Sequence, residues 1–198
     1  MPRRSDHTRD ELHELVLGAA RAIAAKEGAA GLTARRIAGE IGYSQGTLYN
    51  LFRDLDDIVQ HLNAETLDDI HASLSRVAVT GDPEAVLKRL AAAYIQFTRK
   101  HQRRWGMLFE DSPRASPRPD WYRGKIDKLF DLVESALAPL FAPDEAAARR
   151  MAARVLWSGV HGICSLANAG AVISASDVRR MADLLVAHYV AGLKTRRR

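Results

Sequence analysis

The sequence predicts an all-α protein, and three observations carry the prediction. Apolar residues recur at the i, i+3, i+4, i+7 spacing of an amphipathic helix along most of the 198 residues. No stretch alternates apolar and polar residues as a half-buried strand does. Capping and breaking residues punctuate the chain at helical lengths. We expect about nine helices, divided into a three-helix domain over 1–53 and a larger helical domain over 54–198.

The first helix covers Asp10 to Glu27, where Leu12, Leu15, Val16, Ala19, Ala20 and Ile23 make one apolar stripe. Gly28 and Gly31 stop it. Thr33 is an N-cap for a short second helix to Ile41, whose apolar face is Ile37, Ala38 and Ile41. After the Gly42-Tyr43-Ser44 turn, Ser44 caps a third helix of about two turns, Gln45 to Phe52. Arg53-Asp54-Leu55-Asp56-Asp57 opens a long fourth helix, its three acids lying near the positive end of the helix dipole.

Asp82-Pro83-Glu84 combines an N-cap with proline at the first helical position, and that helix runs to about Gln102. A short piece, Arg104 to Glu110, precedes Ser112–Asp120, where Pro113, Pro117 and Pro119 forbid regular helix. Trp121 to Phe141 is the next helix. Pro143-Asp144 restarts the chain into a long one reaching about Gly170, and Ser176-Asp177 caps the last, which ends at Lys194.

The second and third helices, joined by a glycine-containing turn and supported by a longer preceding helix, have the spacing of a helix-turn-helix. A helix that enters the major groove must be polar and small on its outward side and apolar on its inward side. Gln45, Gly46, Thr47, Tyr49 and Asn50 meet the first requirement, and Leu48 and Phe52 the second. Glycine inside a helix costs about 1 kcal/mol against alanine. A backbone lying close to phosphate or base accounts for Gly46.

The pattern Leu32-Thr33-x-Arg35-x-Ile37-Ala38-x-x-x-Gly42-x-Ser44-x-Gly46-Thr47-Leu48-Tyr49-x-x-Phe52 resembles the DNA-binding signature of tetracycline-repressor-like (TetR family) regulators. The resemblance covers about residues 8 to 60. It implies a dimeric, all-helical repressor released from DNA by a ligand. Position by position, it implies that Thr33 and Thr47 hold phosphates, that Arg35 and Gln45 reach bases, and that Tyr49 contacts backbone or base. Arg36, Ser44, Gly46 and Asn50 complete the expected DNA-facing set. The chain departs from the family's pattern at Leu51, where many members carry His, and at Leu55, where many carry Lys. Arg53 is expected to replace one of those phosphate contacts, and Arg3, Arg4 and Arg9 read equally well as tracking the backbone or minor groove and as a solvated arm.

In the C-terminal part, Trp157-x-x-x-His161-Gly162 followed by Leu166 is similar to the "WHG" type of TetR-family ligand-binding domain. At helical spacing Trp157, His161, Cys164 and Asn168 share a face, beside a small-residue face of Ser158, Gly162, Ser165 and Ala169. We expect the small face to meet a dimer partner. The Trp157/His161 face is expected to line an effector cavity with Tyr94, Phe97, Trp105, Phe109, Phe130 and Cys164, the Ser112–Asp120 loop lying near its entrance. Singly, each aromatic reads equally well as core, and His161 as bonded to a neighbour.

Composition agrees. With 47% hydrophobic and 27% charged residues the chain can bury a core, and its net charge of +5 favours an anionic partner. One cysteine, Cys164, forms no internal disulfide and no CxxC site. The seven histidines contain no i, i+3 or i, i+4 pair, so no metal is expected. GxGxxG, GxSxG and GxxxxGK[ST] are all missing, and an enzyme is not expected. Glu65, Asp68 and Asp69 read as an acidic helix face. Val155–Ser176 lacks charge but holds too many small and polar groups for a membrane span. The basic start carries no apolar signal core, which points to the cytoplasm.

The expectation is therefore a cytoplasmic homodimeric repressor that binds a pseudo-palindromic double-stranded DNA operator. An apolar or amphipathic small molecule releases it, without cofactor, metal or membrane. The alternative is a helical small-molecule carrier or enzyme with no operator.

Overall fold

The computed structural model describes residues 7–109, 117–170, 173–174 and 176–196. Among them nine α-helices, two 3-10 turns and no strand are found. The helices are α1 (Arg9–Glu27), α2 (Ala34–Ile41), α3 (Gln45–Tyr49), α4 (Leu55–Leu74), α5 (Pro83–Lys100), α6 (Gln102–Met107), α7 (Asp120–Leu137), α8 (Ala146–Asn168) and α9 (Asp177–Thr195). No described helix is long and apolar enough to cross a membrane.

The described residues of Met1–Thr66 and Arg103–Tyr122 form one compact unit, and those of Leu67–Gln102 and Arg123–Arg198 a second. These packing units divide the chain elsewhere than the expected functional domains, 1–53 and 54–198. The physical reason lies in α4 and α6. Ile58 and Leu62 of α4 and Met107 of α6 are buried in the same core as Val16, Ile37 and Leu48.

In the first unit, Thr8 starts α1 with a capping box. Its backbone N–H donates to Glu11 Oε2 at 2.7 Å, and its side chain accepts from the Glu11 N–H at 3.3 Å. Val16, Ala20 and Ile23 carry the buried stripe expected of α1. Arg103 donates to the carbonyls of Ala25 and Lys26 at 3.0 and 2.7 Å, satisfying acceptors that the end of α1 leaves open.

The second unit packs α5, α8 and α9 together. Val178, Ala182, Val186 and Val190 lie one turn apart along α9, and all are buried. A Cβ on Gly159 would stand 2.6 Å from Leu185 Cδ2, so a larger residue there would require the Leu185 side chain to shift. Tyr189 donates its hydroxyl to the Ala152 carbonyl at 3.1 Å, and Lys125 pairs with Asp68 at 2.5 Å.

Several boundaries differ from the sequence reading, among them the short piece expected over Arg104–Glu110, which lies at Gln102–Met107. The third helix closes at Tyr49 rather than Phe52: Asn50 N–H still reaches the Gly46 carbonyl at 3.2 Å, but Leu51 and Phe52 both turn onto Leu48. The helix expected to reach Gln102 breaks at His101, whose ψ of 37° is not helical, and α6 follows. α7 ends at Leu137, and a 3-10 turn containing Pro139 replaces its last part. Ser176 adopts helical angles and forms no side-chain cap. The Ser112–Asp120 loop falls largely, and Arg3 and Arg4 wholly, outside the described residues; Pro117–Pro119 are non-helical.

Candidate nucleic-acid interface and effector cavity

The helix-turn-helix is built by local capping. The Thr33 side chain accepts the Arg36 N–H at 3.2 Å and begins α2. Gly42 ends it at φ 73°, ψ 28°, a left-handed conformation that penalises any side chain, and the Tyr43 N–H closes on the Ala38 carbonyl at 3.0 Å. Ser44 then caps α3 by accepting from the Thr47 N–H at 3.2 Å, and the two hydroxyls lie 3.0 Å apart. The Thr33 hydroxyl keeps a proton to donate outward, and of the bonded Ser44–Thr47 pair one hydroxyl does.

Around the single buried anchor of α3, Leu48 at 0% exposure, the remaining residues face out. Gln45, Gly46 and Asn50 are exposed, Thr47 is half-buried, and Tyr49 is an exposed aromatic at 51%. The structure thus gathers Ser44, Gln45, Gly46, Thr47, Tyr49 and Asn50 on α3 and its two caps, while Thr33 caps α2. A Cβ on Gly46 would meet only Ser44 Oγ, at an ordinary 3.6 Å. Nothing inside the fold demands glycine there.

The arginines divide. Arg35 is exposed on α2. Arg36, expected beside it, forms a bidentate pair with Glu27 that ties the first turn of α2 to the end of α1. That pair raises the Arg36 pKa and holds the Glu27 carboxyl below its ordinary value. Arg53 is exposed, with Nε 3.3 Å from Asp54. Leu51 and Leu55, the two departures from the family pattern, pack against the core of the unit. An open groove of about 810 Å³ on the same unit runs along α1, but Asp10, Glu11, Glu14 and Glu40 line it, which disfavours phosphate.

Sequence reasoning passed over three contacts. Thr8-x-x-Glu11 carries a legible capping-box pattern. The His7 Nδ1–Tyr43 hydroxyl bond of 2.8 Å and the Arg103 contacts to α1 join residues too distant in sequence to signal each other. Aromatic stacking behind the helix-turn-helix was equally invisible: His13 stacks on Phe52 at 4.4 Å, and His61 on Trp121 at 5.0 Å. Burial pushes the His61 pKa below its usual value, Asp57 opposing and His13 assisting.

In the second unit a cavity of about 50 Å³ is lined by apolar side chains of α4, α5, α7, α8 and α9, including Leu74, Leu90, Leu129, Leu156 and Val186. Tyr94 and Trp157 line it too. The Tyr94 hydroxyl oxygen lies 3.1 Å from His161 Nδ1, and Trp157 stacks on the His161 ring at 4.8 Å. Burial lowers the His161 pKa, which favours a neutral imidazole. Phe130 meets Trp157 edge-on at 5.6 Å and lies behind the wall. The space is smaller than the roughly 300 Å³ of common ligand sites.

The other expected cavity residues lie elsewhere. Phe97 is buried against His101 at 4.6 Å. Cys164 is buried in a second hollow near Thr98, its thiol pKa raised by burial. Trp105 and Phe109 belong to the first unit, where they pack at 5.3 Å. They read as cavity residues only because aromatic spacing carries no information on which unit a helix joins. Among the described residues no group of three His, Cys, Asp or Glu could hold a metal.

Comparison with known proteins places these features in context. Residues 16–62 match the model of bacterial regulatory proteins of the tetR family, and residues 87–189 that of the tetracyclin repressor-like C-terminal domain. No curated protein matches in sequence. Among solved structures, a protein of unknown function from Rhodococcus sp. RHA1 is similar at 22% identity, TM-score 0.71, covering 98% of this chain and 100% of its own. A tetR-family transcriptional regulator from Streptomyces coelicolor is similar at 16% identity and TM-score 0.66, over 94% and 88%. Thermus thermophilus FadR, a TetR-family transcriptional repressor in complex with lauroyl-CoA, is similar at 20% identity and TM-score 0.65, over 90% and 93%.

Proposed function

The chain belongs to the TetR family of bacterial regulatory proteins, and on that premise we propose that it is a homodimeric, cytoplasmic transcriptional repressor. It binds a pseudo-palindromic operator and leaves it when a small apolar or amphipathic molecule enters the second unit. The observation that carries this reading is the exposed polar face of α3 around one buried leucine. Residues 1–53 read DNA, and 54–198 bind effector and partner.

Gln45 and Arg35 read bases, Thr33, Ser44 and Thr47 hold phosphates, Tyr49 and Asn50 flank them, and Gly46 lets the backbone close on the duplex. Arg53 supplies one more phosphate contact, whereas Arg36 works through Glu27 to hold α2 in place. The partner docks on an exposed stripe of α8 and α9. Met151, Val155, Ser158, Gly162, Ser165 and Ala169 recur along one side of α8, with Met181 and Leu184 on α9. Met151 is 62% exposed and Val155 50%, which is unusual for apolar side chains left to water.

Two recognition helices in such a dimer must stand about 34–36 Å apart to enter successive major grooves. A ligand preferring a conformation with another spacing shifts the population off DNA by its differential affinity. α4 is the lever, since it runs unbroken from residues of the first unit to residues lining the cavity. No catalytic step is assigned.

Selection of bound DNA from a random pool by the full-length protein tests the reading. An enriched inverted repeat is expected. Enrichment of nothing, with tight small-molecule binding retained, would replace it with a helical carrier.

A further inference from the structure

A second cavity, of about 210 Å³, continues the line of the first along α5 and α8. Thr98 and Arg99 line it from α5, Gln102 from the start of α6, Cys164, Ala167 and Asn168 from α8, and Val178 from α9. The apolar cavity uses Leu87, Leu90, Ala91 and Tyr94 of α5, and Leu156, Trp157 and Val160 of α8. On both helices the lining passes from one cavity to the next within a single turn, Tyr94 to Thr98 and Val160 to Cys164. By helical rise the two centres are roughly 13 Å apart.

Their chemistry differs in one direction. The first is hydrocarbon-walled. The second presents the Arg99 guanidinium and the Asn168 amide, with Gln102 Nε2 donating to the Asn168 carbonyl at 3.3 Å, and among the described residues no carboxylate lines either. Asn168 Nδ2 is buried without a hydrogen-bond partner, a donor whose desolvation has no compensation inside the protein. The Tyr94–His161 bond occupies the turn between, where burial lowers the His161 pKa.

We propose that the two cavities are the tail and head ends of one effector site for an elongated amphiphile, with an alkyl chain among Leu87, Leu90 and Leu156 and a carboxylate at Arg99 and Asn168. The inference rests on the reading of the second unit as effector-binding and adds the class of effector. The tail releases water from apolar surface, and the head gains charge-assisted hydrogen bonds from Arg99 and satisfies the orphaned amide.

The test titrates the full-length protein at neutral pH with decanoate, decanol and decylammonium, each below its micelle concentration, following tryptophan fluorescence and the melting midpoint. Decanoate is expected to bind about tenfold tighter than decanol, the difference between a charge-assisted and a neutral hydrogen bond, with decylammonium weakest. Arg99→Ala, at an exposed position, and Asn168→Ala each weaken decanoate several-fold more than decanol, which loses only a neutral hydrogen bond. Ala91→Leu, which fills the tail end, weakens both. Decanol or decylammonium binding as tightly as decanoate, unchanged decanoate affinity in Arg99→Ala, or no binding of any of the three overturns the proposal. An inverted-repeat operator complex that decanoate leaves intact also overturns it while sparing the regulator reading. Decanoate binding by a protein that selects no operator keeps this site and removes that reading.

Discussion

Arg36 grips Glu27 with both ends of its guanidinium, joining the first turn of the second helix to the last turn of the first. The pair separates two adjacent arginines that look alike in the sequence. Arg36 is tied to Glu27, and Arg35 is left exposed.

Arg35→Ala and Arg36→Ala should therefore fail differently. Arg35→Ala is expected to cost about 1–3 kcal/mol at one base position and to relax preference there. Arg36→Ala weakens every operator sequence alike and lowers the melting midpoint slightly. Thr47→Ala, losing a phosphate contact, weakens binding uniformly without that thermal change. Affinities for a panel of single-base operator variants, with melting curves, separate the three.

Leu48 and Tyr49 are neighbours with opposite duties, one fully buried and the other half exposed. Leu48→Ala opens a cavity beneath α3 and should destabilise the protein by about 2–5 kcal/mol in urea unfolding. Tyr49→Ala should change stability by less than about 0.5 kcal/mol yet impair operator binding. Equal losses of stability would mean that Tyr49 is a packing residue.

Acid should weaken the fold through His61 and His161. Burial holds both folded-state pKa values below the ordinary 6.5. The unfolded chain then binds more protons as pH drops below that value, so stability present above it is lost progressively toward the folded-state pKa. His61→Phe keeps a ring between Phe52 and Trp121 while removing one titration. The slope of stability against pH between about 6.5 and 5 should flatten in this variant, as chemical denaturation at several pH values will show.

Val155→Asp combined with Leu184→Asp places charge on the exposed stripe of α8 and α9. Neither side chain is buried in the single chain, at 50% and 49% exposure, so the subunit should keep its helix content. Sedimentation should show a monomer, and operator binding should fall by orders of magnitude because one recognition helix binds alone. A dimer that survives the double substitution places the interface elsewhere.

The helix-turn-helix was largely legible in the sequence because its signals are local. A cap lies three residues from the N–H it accepts, as with Thr33 and Ser44, and a stripe such as Val16, Ala20 and Ile23 repeats with the period of the helix that buries it. Periodicity likewise sufficed to put Trp157, His161, Cys164 and Asn168 on one side of α8. It could not reveal that this side meets two cavities rather than one, that Arg36 spends its charge on Glu27, or that Trp105 and Phe109 join the first unit. Those outcomes depend on distances between residues far apart along the chain, and such distances exist only once the helices have packed.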